Sequence, residues 1–365
     1  MRILISGGGV AGPALAFWLT RYGHQATLVE RAPAIRAGGS AIDFRGTSLD
    51  VLERMGLLEE MRAHQTRMSS MTIVDEAGAV VAELPDEAIS GELEVLKEDV
   101  TRVLFEATRE APEYVCDDSI TAIADDGTVT FESGRVSTYD LVIGADGLHS
   151  RVRRLAFGPE ERYVRNLGIY GALFTIDNVL GLDYAGVMHN TPGHMAIALS
   201  ARDNRELRVG LSFTAQDLAY DRHDRAQQED LVAAAFEGAG WEVPRLLAEM
   251  RKATDFFFDS SSQVVMDSWS NGRVALLGDA AYCAAPTSGR GTSQALVGAY
   301  ILAGEIATNP GDAFAAYEAQ LRPYVTLNQA RGRAGARWFF QEPDDETVDN
   351  LAAEQDDTVP IKLYG

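Results

Sequence analysis

Three glycines near the start of the chain have a spacing that suits an anion. In Gly7-x-Gly9-x-x-Gly12 the first glycine permits a tight turn, the second lets a pyrophosphate approach the backbone, and the third lets a helix pack closely on a strand. Val10 and Ala11 lie inside this turn, at the start of the following helix, where backbone N–H groups and the helix dipole favour negative charge. Eighteen residues after Gly12, Glu30 offers a carboxylate that can accept hydrogen bonds from an adenosine ribose. Together these residues indicate dinucleotide binding, without separating one dinucleotide from another.

The elements required by that chemistry are present. Arg2 to Ser6 reads as a short buried strand, Ala11 to Tyr22 has helical apolar spacing, and Ala26 to Val29 forms a second strand ending at Glu30. Two further strings have the same strand-then-turn form. Tyr139 to Gly147 ends an apolar strand in Asp146-Gly147, followed by Ser150 to Arg154. Arg273 to Leu277 runs into Gly278-Asp279-Ala280-Ala281, and a loop with Pro286, Gly289 and Gly291 leads into an apolar helix over 295–306. Asp279 can bond a sugar-alcohol hydroxyl there. The glycines let backbone N–H groups reach a ring edge that becomes anionic on reduction. Between these strings, alternating stretches from Asn166 to Leu218 predict an antiparallel sheet, Glu229 to Phe236 and Val243 to Met250 predict amphipathic helices, and Phe256 to Phe258 opens another strand.

The order Gly7-x-Gly9-x-x-Gly12 with Glu30-Arg31, then Asp140 to Arg153, then Gly278 to Gly291, resembles the aromatic-hydroxylase type of FAD-dependent monooxygenase, including the tetracycline-inactivating members. The resemblance spans nearly the whole chain. It implies an α/β fold: a Rossmann-like FAD-binding domain (1–70, 95–165 and 270–325), an inserted antiparallel-sheet substrate domain (71–94 and 166–269), and a C-terminal helical segment (326–365). It also implies that Glu30 holds the adenosine ribose with Arg31 beside it, that Asp279 binds the ribityl chain or nearby phosphate, and that Pro286 and Gly289 lie near the flavin ring. The Asp146-Gly147 turn would support the pyrophosphate and the use of a nicotinamide.

Several positions depart from the family pattern. Lys97 stands where an arginine usually precedes an Asp-hydrophobic pair, here Asp99-Val100, so the charge is kept and the bidentate fork is lost. Tyr282 occupies the usual histidine position, Ser293 the usual asparagine, and Gly298 a position that is often acidic. The loop Arg36 to Arg45 resembles the segment that passes beside the flavin, with Asp43 one residue out of step with the tetracycline-type pattern. Two readings stand for Arg36 and Arg45: contact with flavin or nicotinamide, or surface ion pairs worth ~0–1 kcal/mol each.

Composition narrows the rest. Of 365 residues, 54 are acidic and 32 basic, and a net charge of -22 repels nucleic acid and anionic membrane surfaces. Glycines interrupt the N-terminal apolar run where an export signal needs continuity, and no apolar run is long enough to span a bilayer. Cys116 and Cys283 match neither a metal site nor a disulfide framework. A cytoplasmic monomer or homodimer with noncovalent FAD and no metal is therefore expected. The resemblance adds NADH or NADPH as a transient co-substrate, O₂, and an aromatic or polycyclic small molecule oxygenated through a flavin hydroperoxide. His189, His194, Tyr184 and Met188 fall in the substrate sheet without a diagnostic pairing, so no catalytic side chain is assigned. The rival readings are an FAD-dependent dehydrogenase, reductase or redox-neutral tailoring enzyme on the same scaffold, and a flavin-containing binding module without turnover.

Overall fold

The computed structural model describes residues 1–34, 39–84, 92–338 and 358–364. Arg36 and its neighbours Ala37 and Gly38 lie outside the described residues. Two large sheets dominate. The first has six strands in the spatial order 270–271, 274–276, 141–144, 2–6, 25–30 and 113–116, all parallel except the 270–271 edge. Strand Arg2–Ser6 is buried from Ile3 to Ser6, as expected of a strand covered on both faces. Helix Ala11–Arg21 and the 18-residue helix Gly291–Thr308 pack on each other against it. From Ser293 to Ile306 the second helix is buried without a break, and its run of Ala, Leu, Val and Ile is apolar all round for that reason.

The second sheet has seven strands in the order 257–264, 164–177, 206–214, 194–201, 185–191, 70–74 and 80–84. Its pairings are antiparallel except that Ala185–Thr191 runs parallel to Ser70–Val74, because the latter arrives from a distant part of the chain. The alternation along Val164–Asp177 is visible in burial. Tyr170, Ala172, Phe174 and Ile176 turn to one face and pack with Phe213 and Phe258 under helices Arg225–Ala235 and Val243–Met250.

The opposite face looks toward the first sheet. Arg208 and Asp259 lie on it by register, and they bond Glu98 and His149 of the parallel-sheet layer at 2.8 and 3.0 Å. Ion pairs from Arg202 to Glu98 and Asp99 reinforce the joint. A two-stranded ribbon, Ala41–Phe44 with Leu93–Leu96, adds a further small sheet, and helix Ala313–Trp338 runs alongside Gly291–Thr308. Among the described residues no helix is long and apolar enough to cross a membrane.

Candidate cofactor and substrate site

The glycine turn has the shape its spacing predicts. Gly7 has φ +115°, and a Cβ there would lie 2.3 Å from the Ala145 carbonyl oxygen; one on Gly12 would lie 1.9 Å from that of Gly7. No side chain fits either place. At Gly9 a Cβ would meet nothing within 4 Å, and this residue is exposed among buried neighbours. The backbone is therefore bare where a ligand would approach. Val10 is the N-cap of the helix that begins at Ala11, and its first turn carries no acidic side chain, leaving the positive end of the dipole open to an anion. Glu30 is held over the turn by the N–H groups of Gly8 (2.7 Å) and Ala32 (2.8 Å), while Arg31 is exposed beside it.

Asp146 reaches this turn through its main chain, with its Cα against Gly7. The carboxylate is used elsewhere. It accepts from the Ser150 hydroxyl and from the N–H groups of Arg151 (2.8 Å) and Val152 (3.1 Å), capping helix Arg151–Phe157. Burial pushes its pKa up against the pull of those hydrogen bonds.

Gly278, at φ +65°, sits where a Cβ would be 3.2 Å from Ala11 Cβ, so the third motif is pressed against the start of the first helix. Asp279 begins the short helix Asp279–Tyr282. Its carboxylate lies 3.7 Å from the place of a Cβ on Gly291 and accepts no N–H or O–H hydrogen bond among the described residues. Pro286–Ser288 forms a 3₁₀ turn that ends on Gly289 at φ +62°. Helix Gly291–Thr308 then starts with no acidic residue in its first turn. Glycines of the long C-terminal helix close over this loop: a Cβ on Gly332 would meet the Ala284 carbonyl at 2.0 Å, and one on Gly335 the Thr287 carbonyl at 2.3 Å.

Asp43 and Arg45 form an ion pair at 3.8 Å, half-buried. Ser293 anchors their strand by donating to the Asp43 carbonyl at 3.4 Å and to Ser48 at 3.1 Å. Lys97 is exposed at the start of helix Lys97–Thr108, with its stem 3.1 Å from the place of a Cβ on Gly39. The two remaining departures from the family pattern meet each other. The buried Tyr282 hydroxyl occupies the space beside Gly298, 2.2 Å from where a Cβ would be, and accepts from Tyr317 at 3.1 Å.

The face of the second sheet that looks toward the first layer carries an apolar row. Leu173, Gly210, Ile197, Met188 and Ile73 are successive partners across five strands on the face opposite the two helices, and Leu173 and Ile197 remain half-exposed. His189 and His194 lie on the other face, where they help line a cavity of ≈ 170 Å³ beside Phe236. Neither histidine is on the side that faces the motifs. In the aromatic triplet, Phe258 is core and Phe257 is 56% exposed.

Sequence reasoning missed the joint around His149. Its ring bonds Glu160 and Asp259, both at 3.0 Å, and Asp259 also accepts from Tyr220. Burial pulls the imidazole pKa down, but the hydrogen bonds and charges of Asp259 and Glu160 prevail and push it up to about 9. The one available signal was position, within the Asp146 to Arg154 string.

Residues 1–326 match the FAD binding domain family. A flavin-dependent monooxygenase of Legionella longbeachae is 37% identical over 98% of this chain and 94% of that protein. An uncharacterized protein of Mycobacterium tuberculosis is 46% identical over 90% of this chain and 91% of its own length. Among solved structures, the tetracycline destructase Tet(51) superposes with a TM-score of 0.90 at 35% identity, covering 100% of this chain and 99% of that one. The glycine turn, the acidic residue above it and the third motif thus stand in a shared frame: this chain belongs to the FAD binding domain family and is an FAD-dependent monooxygenase of the aromatic-hydroxylase type.

Proposed function

We propose that the chain uses NADH or NADPH and O₂ to oxygenate an aromatic or polycyclic small molecule. The observation that carries this reading is convergence: the Gly7–Gly12 turn, the Gly278–Asp279 turn and the start of helix Gly291–Thr308 lie together, and the face of the second sheet turned toward the parallel-sheet layer carries an apolar row. Segments 1–70, 95–165 and 270–325 would hold the cofactor, and 71–94 with 166–269 would cover the substrate.

The residues present fit FAD. The bare backbone at Gly9 and the helix start at Val10 and Ala11 would take the pyrophosphate, Glu30 the ribose, and Asp279, whose carboxylate accepts no N–H or O–H hydrogen bond among the described residues, a hydroxyl-bearing chain. Pro286, Gly289 and Gly291 would present backbone to the ring, and Arg31, Asp43, Arg45 and Lys97 would border the cofactor. Bound FAD supplies two-electron chemistry and reaction with O₂. The chain orients the substrate on Leu173, Ile197 and Met188 and excludes water that would divert oxygen to peroxide.

A panel of phenolic, polycyclic and polyketide-like compounds, screened for accelerated NAD(P)H oxidation under ¹⁸O₂, tests the reading. Label in the product is expected. Substrate turnover with normal flavin cycling and no label would replace oxygenation with dehydrogenation or a redox-neutral reaction.

A further inference from the structure

Near its C-terminus the chain lies in a groove between three helices. Residues 358–364 bond helix Thr47–Met55, the second half of helix Gly291–Thr308 and the early part of helix Ala313–Trp338. Thr47 and Val359 meet twice: the Val359 N–H donates to the Thr47 hydroxyl at 2.9 Å, and that hydroxyl donates to the Val359 carbonyl at 3.0 Å. Both residues are buried. Gln320 donates to the Pro360 carbonyl at 3.0 Å, and Tyr300 and Arg54 donate to that of Lys362 at 2.8 and 3.2 Å.

The groove has a socket for one ring. Tyr364 lies where helix Gly291–Thr308 carries no side chain, since a Cβ on Gly304 would be 2.2 Å from it. It meets Tyr300 edge-on at 5.2 Å between ring centres, and its hydroxyl donates to Glu305 at 2.8 Å. Glu305 is only 2% exposed. Among the described residues its carboxylate has two side-chain partners, Tyr364 and Lys362, and both belong to the terminal segment. If the segment left, a buried charge would be stranded and the space beside Gly304 emptied, so the packing of this helix is complete only with the segment in place.

These contacts lead to the proposed cofactor turn. Thr47 precedes Ser48, which accepts from Ser293 in the first turn of helix Gly291–Thr308 at 3.1 Å and donates to the Arg45 carbonyl at 2.8 Å, just after strand Ala41–Phe44. The segment thus grips, from behind, the two helices that Ser293 joins beside the proposed ring site. It takes part in neither large sheet, and Lys362 and Leu363 are exposed, so it can detach without opening a β-ladder.

We propose that residues 358–364 are a latch that governs FAD exchange. Docked, the latch pins helix Thr47–Met55 to helix Gly291–Thr308 and keeps the Ser48–Ser293 contact closed. Detached, it frees the two helices to part there, and the cofactor leaves. The proposal rests on the placement of FAD at the start of helix Gly291–Thr308 and is independent of what the flavin then does to a substrate.

Native-state hydrogen exchange of the FAD-loaded full chain, read by mass spectrometry beside the rate of FAD dissociation, tests the latch. Peptides covering 358–364 should exchange by a local opening, well before strands Arg2–Ser6 and Leu141–Gly144. Lys362→Ala, at an exposed position, should speed that opening and FAD dissociation by the same factor, about ten-fold, with exchange of the sheet unchanged. Lys362→Arg should match the parent, and Tyr364→Ala should raise both rates further. A merely structural segment would move sheet and segment exchange together. Segment exchange that occurs only with the sheet, an opening rate unmoved in Lys362→Ala, or a faster opening with FAD dissociation unchanged overturns the latch. If Tyr364→Ala does not fold, the two rates of Lys362→Ala decide alone. Undiminished FAD affinity in Asp279→Ala would instead strike the placement of the cofactor, whatever the segment does.

Discussion

Tyr282 and Gly298 show how two departures from a family pattern can be one fact. A phenol where a shorter ring is usual needs space, and the absence of a side chain at Gly298 provides it. Gly298→Ala should therefore destabilise the protein by about 1–3 kcal/mol through overpacking. Tyr282→Phe, which removes the offending oxygen, should restore more than half of that loss in a double-mutant cycle read by denaturant unfolding. Additive effects would show that the two positions are independent. For the proposed cofactor contacts, Glu30→Ala and Asp279→Ala should each weaken FAD binding by ~1–3 kcal/mol, measured by the recovery of flavin fluorescence on release. Glu30 carries a further consequence, since its carboxylate also holds the N–H groups of Gly8 and Ala32: its variant should loosen the turn itself as well as the ribose contact. Undiminished affinity in a folded Asp279 variant would remove the third motif from the cofactor site.

Among the elements, the joint at His149 fixes the turn after strand Leu141–Gly144 to strand Phe257–Val264 of the second sheet. Its folded-state pKa of about 9 lies above the ordinary 6.5. The protonated ring thus contributes stability that is complete below about pH 6.5 and is lost as pH rises through about 9. Solvent screening of this partly exposed group limits the contribution to about 1 kcal/mol. Melting temperature should fall between these pH values in the parent, and the fall should flatten in His149→Gln; identical curves would exclude the linkage. The strand-turn-helix units were legible because each carries its own local signal: apolar strand, glycine or aspartate turn, helical spacing. The alternation of Val164–Asp177 was legible too. What could not be read was which face of that sheet met the motifs, since alternation separates two faces without naming them, and so nothing in the sequence said on which side His189 and His194 stand. The His149 joint stayed hidden because Glu160, Tyr220 and Asp259 come from separate segments, and no spacing in a sequence brings them together.

Across the whole molecule, the parallel sheet draws its strands from three stretches of chain, and the long helix Ala313–Trp338 covers the loop between Ala284 and Thr287. Replacing Gly332 or Gly335 by alanine should push helix and loop apart, since backbone carbonyls rather than flexible side chains stand in the way. Faster FAD dissociation is expected in both variants, with the long helix still formed; unchanged dissociation would detach that helix from cofactor retention. The same layout orders events during synthesis. Glu30 emerges from the ribosome early, but strand Val274–Leu276, Asp279 and helix Gly291–Thr308 follow only after the entire second sheet has been made. A growing chain therefore carries an unfinished parallel sheet, with the edge at Leu141–Gly144 waiting for its neighbour until Val274–Leu276 has been made. Until then the backbone donors and acceptors along that edge stand unpaired, a template for pairing with another chain.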